Sequence, residues 1–186
     1  MHLVCMHVYV IDRRLLLQLI DEATVHHLSG FHQALMLFCR GRHRMYVYRY
    51  DGFYAKIGSP AEYFAASMQL AQDPEARRTL LEMPGQPIRT RIQNSPPTFY
   101  RQHAHVRASL IADGCEIEGE VENSILFRGV HVGRGASVRN SILLRGCEVR
   151  PCASLRCVVA DHDASVGGCL SGAEALPYYI GEGVRI

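Results

Sequence analysis

No apolar run in the 186 residues approaches the roughly 20 that a bilayer-spanning helix requires, so no membrane partner is expected. The opening residues, Met1 to Met6, lack a basic stretch followed by a long apolar one and a small-residue cleavage site. Secretion is therefore not expected. Charge of one sign is scarce as well: 20 Lys and Arg against 18 Asp and Glu leave +2, which gives no ground for a nucleic-acid partner. Seven cysteines (Cys5, Cys39, Cys115, Cys147, Cys152, Cys157 and Cys169) form an odd set without a C-x-x-C pair. Neither a disulfide framework nor a ribbon-type zinc site is signalled, and reduced thiols in a cytoplasmic protein fit this pattern. His26, His27 and His32 have no ligand-spaced Cys or carboxylate beside them, so no metal site is expected.

What is present divides near residue 100 into two parts of different periodicity. In the first, Val8-Tyr9-Val10-Ile11 reads as a short buried strand. Asp12 can cap a helix with Leu15, Leu16, Leu19 and Ile20 on its apolar face. A second helix is predicted over Phe31–Phe38, closing at Gly41. Met45 to Tyr50 is rich in β-formers, and Asp51-Gly52 would turn it back into Phe53 to Ile57. Ser59-Pro60-Ala61-Glu62 is a capping box with proline at the first helical position, and Asp73-Pro74 opens a shorter helix. Four prolines between Pro84 and Pro97 mark an extended linker.

The second part is a repeat. Ser124-Ile125-Leu126-Phe127-Arg128-Gly129-Val130-His131-Val132 returns 17 residues later as Ser141-Ile142-Leu143-Leu144-Arg145-Gly146-Cys147-Glu148-Val149. An earlier, shorter copy opens at Ser109 and a degenerate one at Val158. Ile117, Val132, Val149 and Val166 form one apolar column; Leu110, Ile125, Ile142 and Val159 form another. Two-residue periods broken by glycine and small residues suit a coil of parallel β-structure, in which both columns would stack inside. About three to four coils are expected. Cys115 and Cys147 share the repeat position of Val130 and read as small core residues, while Leu176-Pro177-Tyr178-Tyr179-Ile180 reads as an end cap.

Two stretches bring a family into view. Gly119 to Val130 resembles the β-helix segment of bacterial glucose-1-phosphate adenylyltransferases (ADP-glucose pyrophosphorylases), and Pro87-Ile88-Arg89-Thr90 with Pro96-Pro97 is similar to the linker before it. Gly58-Ser59 with Tyr63 to Leu70 resembles the helix that ends their catalytic domain. The resemblance implies an α/β fragment of a nucleotidyltransferase domain (residues 1–83), a proline-containing linker (84–102) and a left-handed parallel β-helix of hexapeptide repeats (103–186). The handedness comes from the resemblance alone. It also implies glycogen biosynthesis: glucose 1-phosphate attacks the α-phosphate of ATP, giving ADP-glucose and pyrophosphate. That reaction needs a glycine-rich phosphate cradle and carboxylates that hold Mg²⁺.

The sequence departs from that chemistry. No glycine-rich cradle occurs, and Met1 aligns well inside the family's catalytic domain, so the nucleotide-binding half is expected to be missing. The metal-binding aspartate of catalytic members is matched by Lys56 and a sugar-binding serine by Cys5, whereas Tyr9 and Tyr54 match aromatic residues of the sugar site. An accessory, regulatory subunit with a vestigial sugar site at Tyr9 and Tyr54, inactive alone, is therefore expected, with no catalytic residue and no cofactor of its own. By the same resemblance it would assemble with itself or with a catalytic subunit through the β-helix. Arg89 and Arg91 in the linker, with Arg128 and Arg145 at one repeat position, are candidates for a sugar-phosphate or other anion. Two other readings stay open: a β-helix acyltransferase using His103, His105, His131 or His162 as base, and a purely structural oligomerisation module.

Overall fold

A computed structural model describes residues 5–28, 30–39, 42–81, 85, 88–89 and 93–186. Gly41, Arg91 and part of the expected linker lie outside the described residues. The chain forms two compact units, Met1–Tyr54 and Ala55–Ile186. The units divide before the capping-box helix, so the two helices that the sequence groups with the first part belong with the repeat.

In the first unit, Asp12 caps α1 (Arg13–Val25) as expected, its Oδ1 accepting from the backbone N–H of Arg14 at 2.9 Å. Helix α2 (Phe31–Cys39) packs on α1 around buried Leu19, Leu35 and Cys39, with Tyr9, Ile11 and Leu15 against them. The expected strands do not form: residues 8–11, 45–50 and 53–57 carry no strand, and Asp51 pairs with Arg49 at 3.0 Å instead of closing a hairpin. The physical reason is that a β-former favours a pleated, half-buried surface and supplies no partner of its own. Here Val47 and Tyr48 are 90% and 88% exposed, with no neighbouring strand among the described residues.

The second unit opens with α3 (Pro60–Gln72) and α4 (Pro74–Leu81). The Ser59 side chain accepts from the Glu62 N–H at 3.2 Å, and the Glu62 carboxylate accepts from the Gly58 N–H at 2.7 Å. This is a capping box displaced by one residue at its return bond. Asp73 caps α4 in the same way, through the N–H groups of Glu75 and Ala76.

Three parallel five-stranded sheets follow, each coil giving one strand to each. The first contains β1 (Phe99–Tyr100), β4 (Glu116–Ile117), β7 (His131–Val132), β10 (Glu148–Val149) and β13 (Ser165–Val166). The second contains β2 (His105–Arg107), β5 (Glu120–Glu122), β8 (Ser137–Arg139), β11 (Ser154–Arg156) and β14 (Cys169–Ser171). The third contains β3 (Leu110–Ile111), β6 (Ile125–Leu126), β9 (Ile142–Leu143), β12 (Val158–Ala160) and β15 (Tyr178–Ile180). The array thus has five coils rather than three to four, because degenerate first and last coils complete it. Tyr178–Ile180 is the last strand of the third sheet, not a cap.

The expected register is observed: Ile117, Val132, Val149 and Val166 lie opposite one another in successive strands and are all buried. Cys115 and Cys147 are buried with Val130, and burial pushes the Cys147 thiol up to about 11, as befits an inert core residue. The other column requires a correction. Leu110, Ile125, Ile142 and Val159 do stack, but successive strand residues point to opposite faces. Their neighbours Ile111, Leu126, Leu143 and Ala160 fill the interior. Ile142 and Val159 face outward and are buried beneath Phe64 and Met68 of α3, which recur at helical spacing.

The corners are set by hydrogen bonds between coils. Ser109 Oγ accepts from the Ser124 N–H, Ser124 Oγ from the Ser141 N–H and Ser141 Oγ from the Val158 N–H, at 3.1, 3.1 and 3.2 Å. Each hydroxyl also donates to a carbonyl two residues back, so the buried Ser124 and Ser141 are satisfied. Beside them, Asn123 Nδ2 donates to Asn140 Oδ1 at 2.6 Å, and both asparagines hold the left-handed backbone that asparagine tolerates. In the last coils, Tyr179 donates to Asp161 Oδ2 at 2.5 Å while the His162 N–H bonds Asp161 Oδ1 at 2.8 Å. These bonds, that of Tyr179 foremost, hold the Asp161 carboxyl down at about 2, below its ordinary 3.8.

Two expectations follow from this packing. Val149→Asp would place an unpaired charge in the innermost column and should prevent folding or lower stability by at least about 3 kcal/mol in urea unfolding; a parent-like midpoint would show the register to be wrong. A depressed carboxyl pKa adds stability that is present above the ordinary value and is lost as pH falls toward 2. Tyr179→Phe should therefore raise the Asp161 titration midpoint, followed by side-chain carboxyl NMR, and shrink the loss of stability between about pH 4 and pH 2. An unchanged midpoint would show that Tyr179 does not hold that carboxylate.

Candidate functional site

Two of the anion candidates, Arg128 and Arg145, lie at a corner between the third sheet and the first. The N–H groups of Gly129, Gly146, Asp163 and Gly183 donate to the carbonyls of Asp113, Arg128, Arg145 and His162, at 3.4, 3.0, 2.9 and 2.8 Å. Each donor residue has positive φ, from 57° at Asp163 to 74° at Gly146, so glycine at three of these turns avoids the cost of the left-handed region. The result is one column, Asp113–Arg128–Arg145–His162. Neighbouring coils set its members about 4.8 Å apart. Arg128 is half-buried, and its Nε is buried with no hydrogen-bond partner among the described residues; Arg145 is exposed. Glu116 does not pair with them but binds Arg101, and Glu148 accepts from Ser165 Oγ at 3.0 Å.

His162 extends this column beyond the two expected arginines. Its Nδ1 lies 2.7 Å from Asp161 Oδ1, which fixes the ring and leaves Nε2 as the outer nitrogen. The signal was available in the repeat, since His162 follows Arg145 at the interval that separates Arg145 from Arg128. Arg89 is exposed, and Arg91 lies outside the described residues.

The histidines offered as a single acyl-transfer base stand at separate places in the coils, His103 in the turn before β2. His105 is in β2 of the second sheet and His131 in β7 of the first, where its Nδ1 lies 3.6 Å from Glu116 Oε2; His162 is at the corner.

In the first unit Tyr9 is half-buried, with its ring edge-on to Phe31 at 5.6 Å. Its hydroxyl lies 2.7 Å from His32 Nδ1, 3.4 Å from His7 Nδ1 and 3.5 Å from Cys5 Sγ. The bond to Cys5 pushes the phenol up to about 12 and pulls the Cys5 thiol down, so the sulfur loses its proton first. Tyr54 is exposed, and no hydrogen bond or ring contact joins it to Tyr9 among the described residues. Lys56 is exposed too. An ammonium has donors and no acceptor, so this position does not fit the Mg²⁺ that the resemblance implies.

Residues 96–171, most of the coiled array, match the family described as "GlmU-like, C-terminal hexapeptide". The chain is 50% identical over 126 residues to the glycogen biosynthesis protein GlgD of Bacillus subtilis (strain 168), covering 68% of this chain and 36% of that one. It is 31% identical over 140 residues to a glucose-1-phosphate adenylyltransferase of Geobacillus stearothermophilus, covering 74% and 36%. With the enzyme of that name from Halalkalibacterium halodurans the identity is 36% over 95 residues, covering 51% and 24%. The chain thus spans between about a quarter and little more than a third of the length of these relatives. No helix among the described residues is long and apolar enough to cross a membrane. The resemblance read in the sequence holds: the chain is a relative of the glycogen biosynthesis protein GlgD and of the glucose-1-phosphate adenylyltransferases, with a hexapeptide-repeat β-helix as its larger part.

Proposed function

We propose that this chain is part of an accessory subunit of glucose-1-phosphate adenylyltransferase in glycogen biosynthesis, without catalysis of its own, and that its β-helix joins it to other subunits. The observation that carries the reading is the first coil, whose strands β1, β2 and β3 are edge strands with no further strand beyond them among the described residues. On its edge strands Phe99, Tyr100 and Val106 are 58%, 52% and 38% exposed, and an apolar edge of this kind suits a covering partner. Lys56 supports the absence of catalysis. Soluble cytoplasmic placement, in keeping with the reduced thiols, belongs to the same reading.

A regulatory role is favoured by a separate observation, the buried and unbonded Arg128 Nε within a column that also holds Arg145 and His162. The stacked guanidinium groups of Arg128 and Arg145 repel unless an anion or carboxylate screens them. A sugar phosphate supplies such an anion, with Arg89 and Arg91 as further candidate contacts. Tyr9 and Tyr54 remain candidates for a vestigial sugar site.

Size-exclusion chromatography with light scattering, on the chain mixed with a catalytic adenylyltransferase subunit, tests the assembly. Co-elution, weakened by Tyr100→Asp and Val106→Asp together, is expected, and the chain alone should release no pyrophosphate from ATP and glucose 1-phosphate. Separate elution, or turnover by the chain alone, would contradict the reading. Fructose 1,6-bisphosphate and sulfate should raise the melting temperature of the parent, and less that of the Arg128→Ala/Arg145→Ala protein. Equal shifts in the two would remove the column as the site.

A further inference from the structure

One cluster of metal-ligating side chains in the first unit has no part in the reading above. Cys5 Sγ and a ring nitrogen from each of His7 and His32 all lie within 4.8 Å of one another. The three come from two places in the fold: Cys5 and His7 lie two residues apart before α1, and His32 is in the first turn of α2. The local backbone brings them together. His7 has φ 56°, a left-handed bend that an L side chain adopts at a cost, and its N–H closes the bend on Cys5 Sγ at 3.4 Å. The His7 and His32 rings meet edge to face, their centroids 5.1 Å apart. One polar atom, the Tyr9 hydroxyl, lies within 3.5 Å of all three donors.

We propose that Cys5, His7 and His32 bind a zinc-class divalent transition-metal ion, with water or the Tyr9 oxygen as fourth ligand. One thiolate and two imidazoles form a borderline-soft donor set that suits Zn²⁺ or Co²⁺ and does not suit Mg²⁺ or Ca²⁺. Tetrahedral bonds of about 2.0–2.3 Å put donors roughly 3.3–3.6 Å apart, so closing onto an ion asks for movements of about 1 Å. Cys5 and His7 are exposed and can make them. Binding would be coupled to loss of the thiol proton and would tie the segment before α1 to the start of α2.

The test is titration of the whole reduced chain with Co²⁺, read by absorption. A thiolate-to-cobalt charge-transfer band should grow to one ion per chain, with visible bands of tetrahedral intensity, and an equivalent of Zn²⁺ should abolish them. Cys5→Ser should lose the charge-transfer band. His7→Ala, at an exposed position, should keep the fold by circular dichroism and weaken binding by about tenfold or more. The Cys152→Ser/Cys169→Ser protein, which lacks the other two exposed thiols, should match the parent. A parent without the band at excess Co²⁺, a Cys5→Ser protein that keeps it, or a His7→Ala protein with parent affinity would each overturn the site.

Discussion

The second unit depends on one constraint: each coil can bury its apolar side chains and satisfy its backbone only against a copy of itself one coil away. Parallel pairing puts Ile117, Val132, Val149 and Val166 in line, and the same register puts the N–H groups of Gly129, Gly146, Asp163 and Gly183 on carbonyls of the coil before. The serine column shows how tightly the two are linked. Ser141 is buried and tolerated because its hydroxyl gives one bond to Arg139 and takes one from Val158. Where the column reaches Val158 there is no hydroxyl, and the relay stops. A one-residue slip would break this relay and turn every inner side chain outward.

The outer surface follows from the same register. The third sheet carries an apolar column on both of its faces, unlike a strand with one wet side. The outward column is buried because α3 brings Phe64 and Met68 onto Ile142 and Val159. That contact makes the capping-box helix part of the second unit. Here the chain's relation to the adenylyltransferases gains a physical form: the helix that resembles the end of their catalytic domain is held by the β-helix itself.

Legibility followed periodicity. The column Ile117, Val132, Val149 and Val166 could be read because its members recur at nearly fixed intervals and alternate with polar residues. The facing of Ile125 and Leu126 could not, since adjacent apolar residues do not say which side a covering helix will bury. The first part was misread where pairing decides: Met45 to Tyr50 has strand composition, yet a strand exists only through its neighbour. The arginine column and His162 were legible as one repeat position, but the burial of Arg128 Nε was not. Cys5 and His7 were not joined to His32 in the sequence, because the whole of α1 lies between them.

Native-state amide hydrogen exchange measures the central constraint most directly. If the coils are held by one another, the N–H groups of Gly146 and Val158, bonded to Arg128 and to Ser141 of the preceding coil, should exchange together by one cooperative opening. The amides of Val47 and Tyr48 should exchange as in a free peptide. Rapid exchange at Gly146 and Val158, or strand-like protection at Val47 and Tyr48, would contradict the account.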